Sequence, residues 1–115
     1  MELTARNEVT LVGRLSQTPL VVDLPSGDRL TTFRVVVERA PSKRPVADGR
    51  RVPTVDTLEC VVWQPGLQRS AQAWEPGDVL EVLGAARRRF YRAGGSVQSR
   101  FEIEVSKVRR LARAS

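Results

Sequence analysis

Apolar and polar positions alternate along most of this chain, in short runs cut by turn residues. Residues 8–15 set Val9, Leu11, Gly13 and Leu15 against Thr10, Val12 and Arg14, the period of two that gives a strand one face toward a core. Gly13 stands where a bulge or sharp bend is expected. Pro19 breaks the run, residues 20–24 resume extended structure, and Pro25-Ser26-Gly27-Asp28 supplies a turn. Residues 29–39 form a second long strand with Phe33, Val35 and Val37 inward and Arg34, Val36 and Glu38 on the wet side. Residues 56–63 form another, which places Leu58, Cys60 and Val62 inside and Thr57, Glu59, Val61 and Trp63 outside.

Helical spacing occurs in 66–74, where Leu67, Ala71 and Trp74 fall at i, i+4 and i+7. Trp74 is expected to seal this short helix against the end of a barrel, and Glu75-Pro76-Gly77-Asp78 terminates it. The stretch 79–108 then reads as a long basic hairpin. An apolar strand runs into Arg87, Arg88, Arg89, Phe90, Tyr91 and Arg92, and Ala93-Gly94-Gly95 supplies the positive-φ positions of a tight turn. On the return, Phe101, Ile103 and Val105 alternate with Glu102, Glu104 and Ser106, which predicts a half-buried strand with the apolar set inward. Parity puts Arg87, Arg89 and Tyr91 on one face of the hairpin and Arg88, Phe90 and Arg92 on the other. Cations beside rings suit a single nucleic-acid strand, whose phosphates need positive charge and whose unpaired bases need flat apolar surfaces.

Charge sharpens that picture. The 115 residues carry a formal +6. Residues 84–115 hold nine Lys and Arg against Glu102 and Glu104, a net +7, which leaves −1 for the first 83. Local basicity of this kind points to a polyanion partner. Residues 40–55, with three prolines and no apolar period, read as a long mobile loop. Its Lys43, Arg44, Arg50 and Arg51 are placed to close over a phosphate chain. The length is that of one domain, 1–115, with a core over about 7–111. No apolar run of ~18 residues is present to span a bilayer, and the opening MELTARNE is unlike a signal peptide, so the chain is expected in the cytoplasm, associated with the nucleoid.

Chemistry is hard to assemble from this inventory. With one cysteine and no histidine, a zinc site of about four N or S ligands cannot be assembled within one chain, and the commonest general base is missing. No catalytic, metal or cofactor residue is assigned, and the protein is expected not to be an enzyme. Cys60 reads as a buried inert thiol, with an intersubunit disulfide as the alternative.

The order of strands, short helix and final hairpin is that of an oligonucleotide-binding barrel, an all-β, five-stranded Greek-key barrel with one short helix between its third and fourth strands. Three segments carry a more specific likeness. They are Asn7-Glu8-Val9-Thr10-Leu11-Val12-Gly13-Arg14-Leu15 followed by Pro19, then Cys60-Val61-Val62-Trp63, then Gly77-Asp78-Val79-Leu80-Glu81-Val82-Leu83-Gly84 followed by Arg87, Arg89 and Tyr91. Together they resemble the bacterial single-stranded DNA-binding protein family over nearly the whole chain. The resemblance implies a homo-oligomer, a tetramer in preference to a dimer, that binds and protects single-stranded DNA without regard to sequence in replication, recombination or repair. It places Tyr91 on the hairpin stacking position, Trp63 on the aromatic that closes the third strand, and Arg87 and Arg89 among the phosphate contacts. Arg14, Arg34 and the basic loop are expected to neutralise further phosphates, and Phe90 to hold a base.

Two departures accompany the likeness. Where the family often has aromatics, this chain has residues 40–43 and Thr57-Leu58. Fewer stacking platforms predict weaker, more salt-sensitive binding. The chain stops at a basic end, Arg109 to Ser115, where family members that recruit other enzymes carry an acidic tip; a short, tail-less paralogue is expected. Two other readings fit the same residues: an adaptor barrel whose arginines grip an acidic protein tail, and a binder of single-stranded RNA.

Overall fold

The third strand shows how alternation becomes a wall. In the computed structural model, which describes residues 4–41 and 52–115, Phe33 and Val35 of β3 (Arg29–Glu38) are buried while Arg34 is exposed. Facing them on β4 (Val55–Val62), Cys60 pairs with Phe33 and Leu58 with Val35, so the inward sets of the two strands coincide. The same matching runs through β1 (Val9–Leu15), β5 (Val79–Ala93) and β6 (Ser96–Ala112). Strand by strand the sheet closes in the order β1, β5, β6, β4, β3 and back to β1, a five-membered ring. Among the described residues β4 and β6 are its parallel pair, joined through Cys60 with Ile103 and Val61 with Glu104. The short β2 (Leu20–Asp23) lies outside the ring and, among the described residues, pairs only with β3.

Closure depends on β1 serving two neighbours. It pairs with β5 from Val9 to Arg14 and reaches β3 through Arg14 and Leu15. At Gly13 a Cβ would collide with the Val36 carbonyl oxygen and the Val35 side chain. The glycine therefore serves close approach, not a bulge: the register passes through it unbroken, and the irregularities fall at Val79/Leu80 and Leu83/Gly84.

Inside the ring Leu15, Phe33, Val35, Cys60, Val62, Leu80, Val82, Ile103 and Val105 form one cluster. Its open end is stoppered by the helix α1 (Pro65–Ala71), which begins on a proline at its first turn. The helix is shorter than its spacing predicts. Successive bonds from the amides of Gln72, Ala73 and Trp74 to carbonyls three residues back tighten the chain after Ala71. That tight turn delivers Trp74 into the core, edge-on to Phe33 with ring centroids 5.3 Å apart, so the plug role expected of Trp74 holds. Gln68 fastens the helix on its other side. Its Oε1 accepts from Thr31 Oγ1 at 3.0 Å, and its Nε2 donates to the carbonyls of Arg29 at 2.9 Å and Trp63 at 3.0 Å.

Asp78 locks the far end. Its carboxylate accepts the Glu75 amide at 2.9 Å and the Ala114 amide at 2.8 Å, with Arg110 at 3.4 Å. Those two backbone donors, helped by Arg110, hold its carboxyl below the usual range against the opposing effect of burial. Cys60 is fully buried in the ring, and burial pushes its thiol up to about 12, with Glu59 adding to the shift. A thiol so placed reaches another subunit only if the barrel opens.

Two parity expectations fail, for one reason. Val61, expected outside, is 4% exposed; Phe101, expected inside, is 49% exposed while its neighbour Glu102 is 4% exposed. The barrel wall is wet only where nothing crosses it. Val61 shares a groove on the outer side of β4 with Val22, Leu24, Leu30 and Trp63. The hairpin leaves the barrel at about Arg87, beyond which no second layer exists to cover Phe101.

Candidate nucleic-acid interface

Beyond the barrel the β5–β6 ribbon is exposed at every position from Arg87 to Phe101. Gly94 at φ 59° and Gly95 at φ 83° make the two-residue turn, which sets Ala93 opposite Ser96. That register pairs Arg87 with Glu102, Arg89 with Arg100 and Tyr91 with Gln98. Directly opposed residues share a face, so Arg87, Arg89, Tyr91, Arg100, Glu102 and Glu104 form the front of the ribbon.

The front of the ribbon looks onto Trp63, just past the end of β4. Half-buried, Trp63 is fixed from behind by the Gln68 bond to its carbonyl. The Arg89 guanidinium lies over its ring, 5.6 Å from the centroid, within cation–π range. Arg89 also donates to the buried carboxylate of Glu102. A buried carboxylate needs its partner, and the pair holds the guanidinium on the indole before any ligand arrives. Between these groups and β3 runs a groove of about 420 Å³. Its lining brings together apolar Val22, Leu24, Leu30 and Val61, the rings of Trp63 and Tyr91, and the cations Arg89 and Arg100. Trp63 also borders a second groove of about 440 Å³, with Arg69, Gln72 and Thr31. Trp63 is thus common to two clefts, and a flat base has an apolar surface on which to lie.

The expected site residues divide accordingly. Trp63, Arg89, Phe90 and Tyr91 all line the first groove. Arg87 shares the face of Arg89 and Tyr91 but stands one step nearer the barrel, bonded to Glu104 at 2.9 Å. Arg34 is tied to Glu59 at 2.7 Å, and Arg14 lies 3.5 Å from Glu38. Neither Arg14 nor Arg34 lines the groove. Lys43, Arg44, Arg50 and Arg51 lie outside the described residues. Arg100 and Glu102 were missed by reading the strand alone. Folding the hairpin at Gly94-Gly95 and pairing across it would have found both.

Among the described residues no group of three His, Cys, Asp or Glu gathers as a metal ion would require. Nor is any helix among them long and apolar enough to cross a membrane.

The closed five-stranded ring, the helix that plugs it and the projecting hairpin define an oligonucleotide-binding barrel. The chain belongs to the single-strand binding protein family, whose model matches residues 6–111, as the motif resemblance implied. It is similar to single-stranded DNA-binding protein 3 of Listeria innocua, 32% identical over 85 residues, which is 74% of this chain and 50% of that protein. The single-stranded DNA-binding protein of Bacillus cereus is also 32% identical over 85 residues, 74% of this chain and 47% of its own. The chain thus spans about half the length of the curated relatives it matches. Among solved structures, a Plasmodium falciparum SSB complex with ssDNA shares the fold with a TM-score of 0.75, over 96% of this chain and 99% of that one, at 20% identity.

Proposed function

We propose that this protein binds and protects single-stranded DNA without regard to sequence, in replication, recombination or repair. The observation that carries the reading is one groove lined by apolar side chains, by Trp63 and Tyr91, and by Arg89 and Arg100. Rings take unstacked bases of any identity, and guanidinium groups take phosphates with release of counterions. Duplex DNA offers phosphates but keeps its bases stacked, so the groove discriminates by strandedness. The role needs no bond-breaking chemistry. We place the protein in the cytoplasm with the nucleoid, acting as a homo-oligomer, with a tetramer favoured by its family relationship.

The test is fluorescence anisotropy of a labelled oligo-dT, titrated at two salt concentrations and against a duplex competitor. Tight binding that weakens with salt and is indifferent to duplex supports the reading. Absence of binding at low salt removes it and leaves the barrel as an adaptor for acidic protein tails.

A further inference from the structure

The back of the hairpin differs from the front in a way its sequence alone does not reveal. Register sets Arg88 opposite Phe101, Phe90 opposite Ser99 and Arg92 opposite Val97, so these six side chains share one face. Phe90 is 68% exposed, Val97 61% and Phe101 49%. Large apolar groups gathered in one exposed patch mark an interaction site more often than a bare surface.

Charge separates the two faces further. On the front, Arg87 is bonded to Glu104 and Arg89 to Glu102, so three arginines stand against two glutamates. On the back, Arg88 and Arg92 stand against no carboxylate from residue 88 to 92 or from 97 to 101. Arg88 makes instead a neutral bond to the Ser99 hydroxyl at 3.3 Å. The cations left for a ligand's phosphates are therefore concentrated on the face away from Trp63.

Resting on the single-strand reading above, we infer that the hairpin carries a second DNA-binding surface on its back. There Phe90 and Phe101 stack bases while Arg88 and Arg92 hold phosphates, so that one strand engages both sides of the ribbon. Single-stranded DNA is the occupant that meets both features. A duplex would satisfy the arginines and leave the two rings without partners. A symmetric second copy of the chain would bring four arginines together with no carboxylate between them, which costs electrostatic energy at any low-dielectric contact. A strand too short to pass round the ribbon fills the deeper front groove; a longer one reaches the back.

The experiment uses the full chain and two labelled oligo-dT probes, near the lower and upper ends of the range of about 4 to 16 nucleotides for one such barrel. The variants are F90A/F101A, R88A/R92A and, for the front, Y91A. R88A/R92A is expected to bind the short probe as the wild type does, and F90A/F101A to lose less on it than on the long probe, since Phe90 also borders the front groove. On the long probe, F90A/F101A should lose roughly tenfold or more. R88A/R92A should lower the slope of log K against log salt by about 1.4, the value for two lost contacts to a single strand. Y91A should weaken both probes. All five substituted residues are exposed, and thermal melting of each variant is expected to match the wild type.

Unchanged binding of the long probe by both back-face variants, with Y91A weakened, overturns the second surface while the single-strand reading stands. Unchanged DNA affinity together with a back-face variant that sediments as a smaller species shows instead that the face joins copies, and also overturns it. No binding of either probe by the wild type removes both readings at once.

Discussion

Two halves of one ribbon are built to opposite rules. Near the barrel, β5 and β6 alternate buried Leu80, Val82, Ile103 and Val105, all within 3% exposure, with residues that face out. Past Arg87 the same two strands bury nothing on either side, yet their register continues unbroken to the turn. The inner half draws stability from apolar area removed from water, at roughly 25 cal/mol per Å². The outer half keeps that area exposed, and cross-strand pairs and the ladder hold its shape. A protein that must offer rings to a ligand cannot also use them as core.

Substitutions test this division directly. The largest effect on folding is expected from Leu80→Ala, a fully buried side chain: a cost of about 2–5 kcal/mol by urea unfolding. Phe90→Ala in the outer half should stay within about 0.5 kcal/mol of wild type. If the two cost the same, the outer half is packed against something and the division fails.

Next in size are the rings. Trp63→Ala and Tyr91→Ala should each lose about 1–3 kcal/mol of oligo-dT binding, the value of one stacked base. Tyr91→Ala should leave the melting temperature unchanged, since Tyr91 is exposed.

The anchors of the inner half carry a pH signature. The folded-state value of Asp78 is lowered, so its contribution is complete above the ordinary value of 3.8 and is lost as pH falls through the folded value. The stability gap between wild type and Asp78→Asn should therefore shrink below about pH 4. Cys60 runs the other way: its raised value keeps its contribution whole below 9.0 and removes it as pH climbs toward about 12. A thiol reagent at neutral pH should leave the folded protein unmodified.

The smallest effects on binding belong to single charges. Arg100→Ala should reduce the salt slope by about 0.7 without altering stability. Arg89→Ala should do the same and also destabilise the fold, because it strands the buried carboxylate of Glu102. Equal stability for the two variants would show that Glu102 finds another partner.

Much of this was legible in the order of residues. The inward set of β3, a short helix followed by Trp74 as its plug and the Gly94-Gly95 turn follow from periods of two and 3.6 and from positive φ, all local properties. So did the two faces of the hairpin. Local rules stop where a second layer decides burial. Nothing near Val61 in sequence says that Val22, Leu24 and Leu30 will gather with it on the outer side of the sheet.

By itself, then, the sequence determined the strands, the turn and a basic, ring-bearing ribbon, because each depends on neighbours a few positions away. The tertiary structure alone decided that β4 would lie parallel to β6, that Arg89 would rest on Trp63 over a buried Glu102, and that Arg34 would be bonded to Glu59. Those are contacts between strands far apart in the chain. They exist only once the ring has closed, and closure fixes which charges are paired and which remain for a ligand.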